Sequence, residues 1–188
     1  MLGMVFTEFL DMVDQKFPTE VADQLISLAE AQFASRGIYT SVGNYDHAEM
    51  LLLVKQLSDE TGFPVSDLVE AYGEHLFDRF RIRYPSFFEG IHDSFEFLEQ
   101  IEAHIHKEVR MLYPSANLPT FDCRRHGQNL LVMEYSSERP FAHLAYGLMK
   151  GCAAHYNELI EITMTLRPPA DGRCAIFRLQ KNEPADGN

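Results

Sequence analysis

Cysteine is scarce in this chain of 188 residues: Cys123, Cys152 and Cys174 are all it has. An odd number with no Cys-x-x-Cys pair argues against a disulfide framework and against a dedicated zinc cluster, so free thiols are expected. Basic residues are also few. Sixteen Lys and Arg stand against 28 Asp and Glu, and a formal charge of −12 repels a nucleic-acid backbone. The apolar start, Met1 to Leu10, has no basic flank and is broken by Glu8, with Asp11 and Asp14 close behind, so it reads as neither signal peptide nor membrane span. A cytoplasmic location without membrane association is the expectation. Internal repeats and low-complexity tracts are lacking too, and only Asn182–Asn188 reads as a disordered tail. What remains is long enough for one compact domain that buries a core and still holds a ligand cavity.

The apolar pattern changes near residue 115. Before it, Leu2, Val5, Phe6, Phe9, Leu10, Val13 and Phe17 form one helical stripe and Val21, Leu25, Leu28 and Phe33 a second. Thr19 reads as an N-cap and Gly37 as a stop. A third helix is predicted from about Asp46 to Leu57, ending before Gly62, and Ser66 can cap a fourth that carries Leu68, Val69, Tyr72, Leu76 and Phe80 inward. A longer one is expected from Asp93 to Leu112. Beyond Pro114 the periods shorten: Thr120 to Arg124 and Leu130 to Tyr135 flank the turn His126-Gly127-Gln128 as a hairpin. A helix over Phe141–Tyr156 then precedes strands at Leu159–Leu166 and Cys174–Leu179, joined by the turn Pro168–Gly172. The fold class is α+β, a helix-rich single domain with a small antiparallel sheet of about four strands.

Two groups of polar residues carry chemistry. On the Asp93–Leu112 helix, Phe95, Leu98, Ile101, Ile105, Val109 and Leu112 fill an arc of roughly 120° at about 100° per residue. His106 lies about 20° outside that arc and His104 about 60° outside on the other side, so His106 borders the core more closely. A neutral imidazole there can ligate a metal; two solvated, titrating histidines are the bland alternative, and Glu102 beside His106 on the wheel favours it. The second group is Tyr135-x-Ser137-x-Arg139. In an extended chain these side chains point one way, so two hydroxyls and a guanidinium can converge on one anion. Its alternative is an exposed strand end with Arg139 paired to Glu134 or Glu138.

Taken together, a helical histidine followed about 30 residues later by Tyr-x-Ser-x-Arg resembles the haem nitric-oxide/oxygen-binding (H-NOX) family, related to the haem domain of soluble guanylate cyclase. The resemblance runs from Met1-Leu-Gly3 to near Leu179. It implies haem b as cofactor, with His106 as the iron ligand, seven residues before Tyr113, and with Tyr135, Ser137 and Arg139 on the propionates. Pro119, thirteen residues after His106, falls where the family places a proline that distorts the macrocycle. Val5, Phe9, Leu76, Leu144 and Leu148 fall where the family lines the haem pocket, although helical spacing explains each equally well as core. The implied sensor domain spans 1–181, with 1–62 its N-terminal helical part and 63–181 carrying the ligand helix, sheet and propionate-binding part.

The resemblance also implies a function. It is a gas sensor, not an enzyme, binding nitric oxide and carbon monoxide and acting in trans on a histidine kinase or a cyclic-di-GMP enzyme, with a monomer expected. Oxygen-binding members carry a Tyr nine residues after the first residue of Tyr-x-Ser-x-Arg, where this chain has Leu144. Only a shift of that helix would bring His143 or Tyr146 inward, so no stable oxygen complex is expected. The competing readings are a haem enzyme of peroxidase or oxygen-activating type, disfavoured by the apolar residues expected opposite His106, and a haem-free interaction module.

Overall fold

The computed structural model describes residues 1–182. Four helices build the N-terminal part: α1 (Gly3–Lys16), α2 (Thr19–Gln32), α3 (His47–Thr61) and α4 (Val65–Arg83). Helix α3 has the ends its sequence predicts. Asp46 accepts from Ala48 N–H at 3.0 Å, and Gly62 closes the helix at φ +75°, in the left-handed region that glycine enters freely. At α2 and α4 the expected caps fail for a shared reason. The carbonyl of Pro18 accepts from Val21, and that of Pro64 from Asp67 and Leu68, so each proline opens its helix; Thr19 and Ser66 sit inside the first turn.

The predicted single helix over 93–112 is three segments: α5 (Ser94–Gln100), a π-turn (Ile101–Ile105) and α6 (His106–Leu112). Asp93 caps α5 through Glu96 N–H at 2.9 Å, and α5 buries Phe95, Phe97 and Leu98. At the break the His106 N–H bonds Ile101 O, five residues back instead of four, which resets the helical wheel at the residue of interest. No α6 residue is fully buried. A 3-10 turn at Pro85–Phe88, which the sequence did not announce, seats Phe87 in the interior.

Strands β1 (Thr120–His126), β2 (Leu130–Ser136), β3 (Ile160–Leu166) and β4 (Cys174–Lys181) form one antiparallel sheet in the order β1-β2-β4-β3. Its period-two face buries Leu131, Met133 and Tyr135 beside Ala175, Phe177 and Leu179, covered by α7 (Ala142–His155). Beyond β4, Asn182 donates its N–H to Leu159 O at 3.0 Å, so the expected tail loses its first residue; 183–188 lie outside the described residues.

Two cores result, one among α1–α4 and one between the sheet, α5 and α7. They meet where α4 and α7 touch backbone to backbone. A Cβ on Gly147 would overlap the Glu70 carbonyl, and one on Gly73 the Leu144 carbonyl. Lys150 then bridges Glu70 at 2.7 Å and Glu74 at 2.6 Å along the same seam.

Candidate functional site

Between the two cores lies a cavity of about 270 Å³, walled by α1, α4, the π-turn and α6, the 113–119 loop, β2 and α7. Its wall is mostly apolar and includes Val5, Leu76, Leu144 and Leu148. Phe9 does not join them. It is fully buried in the N-terminal core, edge to face with Tyr72 at 5.2 Å, and Tyr72 itself donates to Val5 O. One turn along α1 from Val5, Phe9 therefore meets Tyr72, which occupies the ground the pocket would need.

His106 reaches the cavity from the end of the π-turn. Its side chain is 12 % exposed, against 52 % for His104, which turns outward beside Glu108 at 3.4 Å. Glu102 Oε1 lies 2.6 Å from His106 Nδ1, while Nε2 has no hydrogen-bond partner among the described residues. Burial pulls His106 below the ordinary histidine pKa, and the Glu102 hydrogen bond and charge oppose that in part. The ring is thus neutral at pH 7, with an Nε2 lone pair available.

Tyr135, Ser137 and Arg139 all line the same cavity, although β2 ends at Ser136 and a bend carries the last two. Burial pushes the Tyr135 hydroxyl up, offset in part by Ser137, the Phe141 N–H and the Arg139 charge, so it stays protonated and able to donate. The Ser137 hydroxyl accepts from Arg139 N–H at 3.0 Å and thereby shapes the bend. Arg139 pairs with neither Glu134 nor Glu138; its guanidinium donates to Asn117 O at 3.2 Å and Asn117 Nδ2 takes up Glu138. Pro119 closes the wall beside Leu118.

Three wall or support residues escaped the sequence reading. Tyr84 and Tyr113 line the cavity, and the Tyr84 hydroxyl donates to Met4 Sδ at 3.6 Å. Tyr113 stood in the Leu-Tyr-Pro segment, but nothing in the sequence places it in the same wall as Tyr84. Glu102 was visible as a neighbour of His106 and was weighed as a sign of a solvated face. Of the two donors considered for the α7 side, Tyr146 instead donates to Ile162 O at 3.0 Å, and His143 does not line the cavity.

An apolar slot with a neutral imidazole on one wall and a cation with two hydroxyls at its edge fits a flat macrocycle that carries iron and two carboxylates. Among the described residues no group of three or more His, Cys, Asp or Glu could hold a bare metal ion, so a single histidine suits an iron whose other ligands come from a porphyrin. Fold and site thus define the class, a haem-binding domain.

The comparisons narrow the class to a family. Residues 2–164 match the Haem-NO-binding family, and the chain belongs to it; such domains bind haem and gases and are sensors, not enzymes. The chain is 39 % identical to an H-NOX protein from K. algicida, solved unliganded as Fe(II), with a TM-score of 0.91 and full coverage of both chains. It is 25 % identical to the S. oneidensis H-NOX protein in its Fe(II)NO state, covering 97 % of this chain and 100 % of that one at TM-score 0.87. Soluble guanylate cyclase gcy-35 of Caenorhabditis elegans is 23 % identical over 148 residues, which are 74 % of this chain and 20 % of that protein. The chain spans about a fifth of the length of that curated relative. Among the described residues no helix is long and apolar enough to cross a membrane.

Proposed function

We propose that residues 1–181 form a sensor that binds haem b between the two cores, responds to nitric oxide and signals to a separate effector. The observation that carries this reading is the His106 imidazole, held through Nδ1 by Glu102 and lining an apolar cavity. In it His106 would ligate the iron, and Arg139, Tyr135 and Ser137 would hold the propionates. Pro119, Val5, Leu76, Leu144 and Leu148 shape the faces of the pocket. Bound haem would supply a ferrous iron that can take a diatomic gas. Val5, Leu76, Leu144 and Leu148 in the cavity wall offer no acid or base, which disfavours the peroxidase alternative.

The signalling step rests on where His106 sits. It begins α6, which has no fully buried residue and follows a π-turn, whereas α5 is anchored by Phe95, Phe97 and Leu98. A change in the load on the imidazole therefore moves α6 against a fixed α5, a two-state element of the kind a ligand can bias. The nitric oxide state of the S. oneidensis relative and the carbon monoxide state of a 39 % identical H-NOX from Shewanella woodyi support both gases as ligands. A histidine kinase or cyclic-di-GMP enzyme as effector, a cytoplasmic location and a monomeric state belong to the same proposal.

Replacing His106 tests the reading. His106→Ala, purified with haem, should lack the Fe–His stretch of the ferrous protein and regain a nitrogen-ligated spectrum with free imidazole; His104→Ala should match wild type. An unchanged Fe–His stretch in His106→Ala would overturn the assignment.

A further inference from the structure

Two histidine–glutamate pairs share the same four-residue spacing on the helix that carries the candidate ligand, and they face opposite ways. His104 and Glu108, 3.4 Å apart, are respectively 52 % and 38 % exposed on the outer side. His106 and Glu102, 2.6 Å apart, are 12 % and 29 % exposed, and the histidine of this pair opens onto the cavity. The outer pair is an ordinary surface contact, screened by water and worth little. The inner pair joins the Glu102 carboxylate to Nδ1 of the ring and leaves Nε2 without a hydrogen-bond partner among the described residues.

We propose that Glu102 is a positioning residue for His106: its carboxylate takes the Nδ1 proton in a hydrogen bond, fixes the tautomer and ring orientation, and makes Nε2 a stronger ligand for iron. This rests on the haem-sensor reading above. The chemistry follows from the donor inventory. A neutral imidazole has one N–H and one lone pair, and a carboxylate only accepts, so a 2.6 Å contact puts the proton on Nδ1 and the lone pair on Nε2. Negative charge behind the ring raises the basicity of the opposite nitrogen, as carboxylates do for metal-bound histidines elsewhere.

The surroundings set how strong that push is. Arg110 Nη2 lies 3.6 Å from Glu102 Oε2, so part of the carboxylate charge is taken up on its far side. Phe121 lies against the ring at 6.0 Å and 42°, which limits the planes the imidazole can adopt. The π-turn contributes too, since its widened bonding from Ile101 O to His106 N–H sets the backbone between carboxylate and ring. Glu102 thus has the means to tune the bond that holds α6 to the cofactor, and Arg110 to damp it.

The test reads the bond itself. In the haem-loaded ferrous protein, Glu102→Gln should lower the Fe–His stretching frequency and Glu102→Ala lower it further, while Arg110→Ala raises it. Glu108→Ala should leave it at the wild-type value. Loss of such a supporting partner should also speed haem release roughly 10-fold in Glu102→Ala. In the haem-free protein, nitrogen NMR of His106 should show the Nδ1–H tautomer in wild type and a mixture in Glu102→Ala, a readout that needs no cofactor. Wild-type frequencies in Glu102→Ala with an unchanged tautomer would overturn the proposal while leaving His106 as ligand. A wild-type protein with no Fe–His band, or a band that survives His106→Ala, would overturn the haem reading and this inference with it.

Discussion

Arg139 is held at the cavity by contacts that do not use up its donors. One Nη donates to Asn117 O, and its backbone N–H goes to Ser137, so most of the guanidinium fork remains available to an anion. Arg139→Ala should therefore accelerate haem transfer to an acceptor globin, with Tyr135→Phe and Ser137→Ala each costing about 1 kcal/mol or less of retention. Equal transfer rates for wild type and Arg139→Ala would discard the clamp. A second prediction concerns His75, whose Nε2 is buried with no hydrogen-bond partner among the described residues. Its pKa is lowered first by burial and then by Lys16 of α1 and Arg79 of its own helix, with Glu8 and Asp78 acting in the opposite direction. A lowered folded-state value means that the unfolded chain binds the proton first. Stability should fall as pH drops below about 6.5 toward the folded-state value. His75→Gln should flatten that slope in urea titrations; an unchanged slope would remove His75 from the account.

At the scale of elements, the contact between α4 and α7 is made by glycines, and it holds the two cores at the spacing that leaves the cavity. Gly147→Ala pushes a methyl into the Glu70 carbonyl with nowhere to go, so urea denaturation should show a loss on the order of 1–3 kcal/mol. Gly62→Ala meets no neighbour and pays only for its positive φ, about 1 kcal/mol. If both cost the same, the close seam is not what matters. These elements were readable from sequence where one local signal dominated: Asp46 and Gly62 bound α3, and the period-two runs gave all four strands. The prolines before α2 and α4 misled because Thr19 and Ser66 look like better caps. The π-turn was not readable at all. It depends on burial of α5 against the sheet and of His106 against Phe121, neither of which a fixed 100° wheel can represent. Packing on Tyr72 separates Phe9 from Val5, and burial of His106 turns Glu102 from a mark of a solvated face into its partner.

For the whole molecule, the two cores flank a mostly apolar cavity that His106, Tyr135, Ser137 and Arg139 all line. The proposed gas selectivity rests on the hydrogen-bond donors among the lining residues. Leu144 cannot donate, Tyr146 is committed to Ile162 O, and the Tyr84 hydroxyl is directed at Met4 Sδ. A bound dioxygen gains from a donor beside its partly anionic end, whereas nitric oxide binds ferrous haem without one. The most direct measurement is the absorption spectrum of the anaerobic ferrous protein, recorded before and after nitric oxide and separately in air-saturated buffer at low temperature. A histidine-ligated ferrous haem spectrum is expected, which nitric oxide converts completely and which yields no long-lived oxygen complex in air. A protein that takes up no haem, a ferrous spectrum unmoved by nitric oxide, or a persistent oxygen-bound spectrum would contradict the haem-sensor reading.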